Sequence, residues 1–219
     1  MMADLELDPA VAREDLCRFI AACYYEPGPE FIEEGLFGAM AEAARRIDPE
    51  LAALAAPLGD HFAAHDLQTL LVDYSRLFLG PIEPLARPNG SFWLGGETRL
   101  MQDSTMAVQA LYQEGGFDID EAFHELPDHV AVELEFLYLT IFRRHEAQHA
   151  GDADALRAIT RLQQRFLKQH LGAWIVPFTQ AVRDGAQTAF YRDVAALTER
   201  FVQMIAADDA RALGAAARH

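Results

Sequence analysis

The segment 127–149 constrains the fold more than any other. Val130, Val132, Leu134, Phe136, Leu137, Leu139, Ile141 and Phe142 cover most of the circumference of a helix with 3.6 residues per turn. A helix apolar nearly all round needs cover on most sides, so it belongs in the middle of a bundle. The rest of the sequence can supply that cover with further helices. No run alternates apolar and polar residues as a half-buried strand does, and glycine and proline fall between periodic segments. The expected fold class is all-α: a single-domain helical bundle of about nine helices over residues 1–207, with a frayed tail over 208–219.

Capping and breaking residues set the order of those helices. Asp8-Pro9 opens the first, an N-cap followed by proline in the first turn, and Glu26-Pro27-Gly28-Pro29 stops it. Amphipathic segments follow over 30–47 and 49–65. A helix over 67–79 carries Leu70, Leu71, Tyr74, Leu77 and Phe78 on its apolar side and ends at Gly80-Pro81. Residues 80–97 read as the longest irregular stretch. They hold three prolines and four glycines, yet also Phe92, Trp93 and Leu94. A long loop with large apolar residues inside a compact domain is more often functional than idle. Asp103 caps the next helix, which ends at Gly115-Gly116, and an acidic connection spans 117–127. Helices over 152–171, 173–184 and 188–207 complete the bundle.

Charge narrows the partners. Against 18 Lys and Arg stand 34 Asp and Glu, a formal net charge of −16. The excess lies in residues 1–150, which carry −18, whereas residues 151–219 carry +2. Such a surface argues against nucleic acid and anionic membranes and favours a basic partner. No stretch approaches 18 uncharged apolar residues, so no stable membrane binding is expected. The acidic N-terminus lacks the apolar core of a secretory signal. Cys17 and Cys23 are too few for a disulfide framework and read as reduced, buried thiols of a cytoplasmic protein.

Catalytic signatures are weak. The glycines of Gly95-Gly96-Glu97-Thr98 lack phosphate-loop spacing, and no serine stands in a nucleophile-elbow context. His61 with His65, and His145 with His149, are each one turn apart. Either pair could give two metal ligands, but no neighbouring carboxylate or cysteine completes a site by spacing, so no metal or cofactor is expected. The segment Pro127-Asp128-His129 with Glu133 and Glu135 holds more interest. Its plain reading is an Asp128 N-cap with acids in the first turns of the helix. Its functional reading is a polar lip on a groove, with Asp128 and Glu133 attracting a cation. A helical metal-binding or enzymatic bundle using His129, Glu133 and a histidine pair is the alternative.

Five ordered segments resemble the TorD/DmsD family of molybdoenzyme chaperones, also called redox enzyme maturation proteins. They are Tyr74-Ser75-Arg76-Leu77-Phe78; Glu83-Pro84-Leu85-Ala86-Arg87-Pro88 with Ser91, Phe92 and Trp93; residues 96–117; residues 127–139, with Pro127-Asp128-His129 and Glu133; and residues 166–178, with His170, Trp174, Pro177 and Phe178. The resemblance implies an all-helical fold and no catalytic reaction. It implies a cytoplasmic chaperone, monomer or homodimer. Its partner would be the catalytic subunit of a molybdopterin oxidoreductase with its twin-arginine signal peptide, held back from export until the cofactor is inserted. Signal-peptide and client contacts are then expected at Tyr74, Leu77, Phe78, Glu83, Pro88, Ser91, Phe92, Trp93, Pro127, Asp128, His129 and Glu133. An acidic face would take the basic end of the peptide and an aromatic groove its apolar core.

Overall fold

A computed structural model describes residues 8–80, 83–95, 103–117 and 125–216. Gly96, Glu97 and Thr98, the start of the 96–117 segment and most of the acidic connection lie outside these residues.

The described residues form helices and no strand. In chain order they are α1 (Pro9–Ala22), α2 (Glu30–Glu33), α3 (Leu36–Ile47), α4 (Pro49–Ala55), α5 (Leu58–Ala63) and α6 (Leu67–Tyr74). A π-helical turn, Ser75–Leu79, extends α6. Then follow α7 (Gly90–Gly95), α8 (Asp103–Glu114), α9 (Val130–Ala150), α10 (Ala153–Gln169), α11 (Leu171–Gly185) and α12 (Ala189–Ala216). The all-α expectation is met, with twelve α-helices among the described residues where about nine were expected. The segment 30–47 breaks at a turn around Glu34-Gly35, and 49–65 breaks at Ala56-Pro57. The supposedly irregular stretch contributes α7.

Helix α9 packs against α1, α10 and α11, and its side chains from Val130 to Leu134, with Phe136, Leu137 and Ile141, are buried. One edge stays outward: Leu139 is half-buried and Phe142 exposed. Aromatic rings fill the spaces between layers. Phe31, Phe37, Phe62 and Phe190 form one group, with centroids 5.1–6.2 Å apart along its contacts. Phe136 packs with Tyr112 at 4.5 Å, Phe166 at 4.9 Å and Phe117 at 5.2 Å. Both cysteines are buried and free, and burial raises the Cys23 thiol to about 12. No described helix is long and apolar enough to cross a membrane.

Two observations differ from the sequence-based expectation. The chain from Asp208, expected as a frayed tail, is helical as far as Ala216 among the described residues. Asp209 is buried, bonded by Gln163 at 2.8 Å and by Arg144 at 2.5 Å. Distant carboxylates also do the work of local caps. Asp73 of α6 is buried and accepts from the amides of Gln187 and Thr188 and from the Thr188 hydroxyl, at 2.8–3.1 Å. It thereby satisfies amides that would otherwise be orphaned at the start of α12.

Candidate functional site

The first part of the site is a loop that folds back on the helix before it. The π turn ends at Gly80, whose φ of 60° favours glycine. A Cβ there would come within 2.4 Å of the Glu83 and Pro84 backbone, so the chain reverses tightly. The amides of Leu85 and Ala86 then donate to the Arg76 and Leu77 carbonyls at 3.2 and 2.8 Å. These are helix-end carbonyls that need partners, and the π turn presents them to the returning strand.

The second part is the corner before α9. Val130 N donates to Pro88 O at 2.7 Å, and Gly90 N donates to Asp128 O at 2.8 Å, forming an isolated antiparallel bridge between Asn89 and His129. Asp128 Oδ2 also accepts from Ser91 N at 2.9 Å. This carboxylate therefore caps α7, across 37 residues, and not α9 as its position suggested. His129 is the N-cap of α9: its Nδ1 accepts from Ala131 N at 3.2 Å, which leaves the proton of the neutral ring on Nε2. Burial lowers the His129 pKa, opposed by the nearby charges of Glu125 and Asp128.

Beneath the bridge lies a buried polar pair. Glu133 Oε2 accepts from Trp174 Nε1 of α11 at 3.0 Å, and both side chains are fully buried. Burial pushes the Glu133 carboxyl well above the usual range; Asp128 adds to the rise and the Trp174 bond opposes it. Gly90 rests on this pair. A Cβ at that position would come within 2.7 Å of Trp174 Nε1 and 3.1 Å of Glu133 Oε1. Tyr112 of α8 closes the corner from the side, its hydroxyl donating to Pro127 O at 2.7 Å. Ser91 Oγ, Asp128 Oδ1 and Glu133 Oε1 are buried without a hydrogen-bond partner among the described residues.

On that base stand the exposed parts. Trp93 is half-buried; its Nε1 donates to Arg87 O at 2.9 Å, and its ring meets Phe92 edge-on at 5.0 Å. The Arg87 guanidinium lies 5.1 Å from the centre of the Phe92 ring. Exposed Leu85 covers Gly185 at the C-terminal end of α11, and Trp93 reaches Phe178 two turns earlier in the same helix. Val176, also on α11, is exposed.

The structure thus brings Pro88, Ser91, Phe92, Trp93, Pro127, Asp128, His129 and Glu133 together and sorts them by depth. Phe92 and Trp93 are half-exposed, whereas Asp128 and Glu133 are buried and do not form an acidic lip. Tyr74, Leu77 and Phe78 do not line a groove. They are buried among Tyr24, Phe178 and Tyr191, because α11 and α12 cover the face that periodicity marks as apolar. Glu83 is exposed and paired with Arg87 at 3.5 Å, away from the bridge. Gly90, Tyr112 and Trp174 join the site unannounced. Trp174 lies in the fifth recognised segment, and a glycine followed by Ser91-Phe92-Trp93 was the available signal for Gly90. His129 and His145 stand at opposite ends of α9, about 24 Å apart at 1.5 Å per residue, so the pair His145 and His149 does not join His129 and Glu133 in one site.

Comparisons with known proteins give the family and the fold. The chain is 29% identical over 145 residues to the chaperone protein TorD of Vibrio parahaemolyticus, covering 66% of this chain and 65% of that protein. It is 29% identical over 175 residues to TorD of Shewanella loihica, covering 78% and 74%. With the Tat proofreading chaperone DmsD of Salmonella typhi it shares 28% over 137 residues, 63% of this chain and 60% of the relative. The chain thus spans about two thirds of the length of these relatives. A crystal structure assigned to a redox enzyme maturation protein of Archaeoglobus fulgidus has the same fold, with a TM-score of 0.50 at 21% identity, over 87% of this chain and 93% of that one. A family model described as nitrate reductase delta subunit matches residues 44–180, from α3 to α11, and so takes in the bridge, the buried pair and the loop. The chain belongs to this family, which includes the TorD chaperones.

Proposed function

We propose that this protein is a cytoplasmic, system-specific chaperone for the catalytic subunit of a molybdopterin oxidoreductase, and that it binds the twin-arginine signal peptide of that subunit on the loop 83–95. It carries out no reaction of its own. The observation that supports this reading most is the pairing of exposed aromatic side chains with a fixed backbone. Phe92 and Trp93 stand half-exposed on a loop tied down by the Asn89–His129 bridge and by Asp128. A preorganised loop loses little freedom when a partner docks, so apolar contact is converted efficiently into affinity.

The apolar core of the signal peptide would lie along Phe92, Trp93, Leu85 and α11. Its arginines would meet exposed acids, for which Glu125 beside His129 and Glu26 are at hand, with Glu83 exchanging its pairing with Arg87. Asp128 and Glu133 would serve from below, as residues that position the loop. Exposed ion pairs contribute about 0–1 kcal/mol each, so the charges would set orientation and association rate while the aromatic residues supply the affinity.

Titration of a synthetic twin-arginine peptide into the purified chain, followed by calorimetry, tests the proposal. Replacing apolar-core leucines of the peptide by serine weakens binding more than replacing its arginine pair by lysines. Raising the salt concentration weakens it modestly, as screening lengths fall from ~10 Å at 0.1 M to ~3 Å at 1 M. Affinity that ignores both the apolar core and a folded Trp93→Ala variant would overturn the assignment.

A further inference from the structure

The far end of α9 carries a second cluster. His145 and His149 lie one turn apart, with ring centroids 4.8 Å from each other. Asp8, the N-cap of α1, joins them from another helix: ligand atoms of all three side chains lie within 4.8 Å of one another. Asp8 uses Oδ1 to accept from Ala10 N at 2.9 Å, and its Oδ2 stands 3.5 Å from His145 Nε2. We propose that Asp8, His145 and His149 bind a divalent first-row transition ion, with zinc the best match, and that this ion clasps the first turn of α1 to the last turns of α9.

Three features favour a ligand role over a solvated helix end. First, His145 is oriented from behind. Its Nδ1 lies 2.7 Å from Oε1 of Glu14, a carboxylate buried in α1. In the neutral ring Nδ1–H donates to Glu14, which leaves the lone pair on Nε2. A carboxylate behind a histidine is the arrangement that fixes the tautomer and basicity of metal-bound imidazole. Second, His145 Nε2 is shielded from solvent and has no hydrogen-bond partner among the described residues. It faces Asp8, whose Oδ2 is 3.5 Å away, and His149. Third, the donor set is two imidazoles and one carboxylate, which suits zinc with an open fourth position for water.

The separations are close to what zinc requires. Bonds of about 2.0–2.1 Å in a tetrahedron put neighbouring ligand atoms roughly 3.4 Å apart. The Asp8–His145 pair is already there, and the exposed His149 has only to turn about its own side-chain bonds. A cleft of about 100 Å³ between α1, α9, α10 and α12 borders His145. Its two cations, Arg13 and Arg144, are neutralised by Asp208 and Asp209.

The test uses the full chain after chelator treatment. Zinc is titrated against a competing chromophoric chelator, cobalt is used as a spectroscopic probe, and thermal melts are recorded with and without zinc. One equivalent of zinc should bind, raise the melting temperature, and be replaceable by cobalt with the intense visible absorption of tetrahedral coordination. His149→Ala and Asp8→Asn should each weaken binding tenfold or more and abolish the melting shift. Both positions are exposed, and asparagine caps a helix nearly as well as aspartate, so these variants keep the fold. Glu14→Gln should weaken binding ten- to a hundredfold through the orientation of His145. His61→Ala, which removes the other histidine pair, should leave it unchanged. No stoichiometric zinc below 100 μM in the assay, or wild-type affinity in both His149→Ala and Asp8→Asn, would overturn the proposal.

Discussion

Two aromatic groups meet at Phe178 and serve different ends. Phe78 packs against it from the π turn, with centroids 6.2 Å apart, and Trp93 approaches it from α7 at 6.4 Å. Phe78 is 4% exposed and surrounded by Tyr24, Tyr74 and Tyr191. Trp93 is half-buried, with its indole N–H bonded to the Arg87 carbonyl. Both belong to segments that resemble the same chaperone family. Such a segment does not say which of its residues meets a partner; depth beneath neighbouring helices decides that. Phe78 is part of the platform and Trp93 stands on it.

The sharpest way to break this contrast is Phe78→Ala. Removing a buried ring with four aromatic neighbours should cost about 3–5 kcal/mol, read as a large fall in the denaturation midpoint. A Phe78→Ala protein of native stability with weakened peptide affinity would reverse the assignment of roles. Gly90→Ala should come next. The added methyl meets Trp174 and Glu133 at under 3.2 Å, and overpacking of this kind costs up to about 3 kcal/mol. Peptide affinity should fall along with stability, because the loop itself is displaced. Trp93→Ala should act mainly on binding. An anchoring aromatic contributes about 2 kcal/mol, or roughly thirtyfold in Kd, and melts run in parallel should show a smaller loss of stability than for Phe78→Ala.

The smallest effect concerns pH at the corner. Burial lowers the His129 pKa, so below about 6.5 the unfolded chain takes up a proton that the folded chain resists. The stability that depends on a neutral His129 is present above that pH and is lost as pH falls. His129→Asn keeps an N-cap and removes the titration. The drop in melting temperature between pH 7 and pH 5 should shrink in that variant without vanishing, because His170 is also shifted down by burial. An unchanged drop would show that His129 does not contribute to the pH dependence.

Much of the scaffold was legible in the sequence. Breakers and caps ordered the helices, and the nearly continuous apolar surface of 130–142 placed α9 at the centre. What was not legible shares one cause: partners distant in the chain. Periodicity marked Tyr74, Leu77 and Phe78 as apolar but could not tell a rim from a core, since that depends on where α11 and α12 lie. Asp128 stands where an N-cap of α9 should be, yet it serves Ser91, 37 residues earlier. The π turn follows no 3.6-residue pattern. His145 and His149 have no third side chain beside them by spacing, and Asp8, which lies next to them, comes from the start of α1.

The loop 83–95 is held largely through its main chain. Leu85, Ala86 and Gly90 donate through their amides, Pro88 accepts through its carbonyl, and Arg87 offers its carbonyl to Trp93. Only Gly90 among these positions is tied to one residue type by crowding. Shape and chemistry are therefore separable here. Side chains at positions 85, 92 and 94 can be exchanged for those of a relative while the path of the backbone persists. Evolution can retune which client such a chaperone accepts without rebuilding the protein that presents it, and an engineer can graft a new preference onto the same frame.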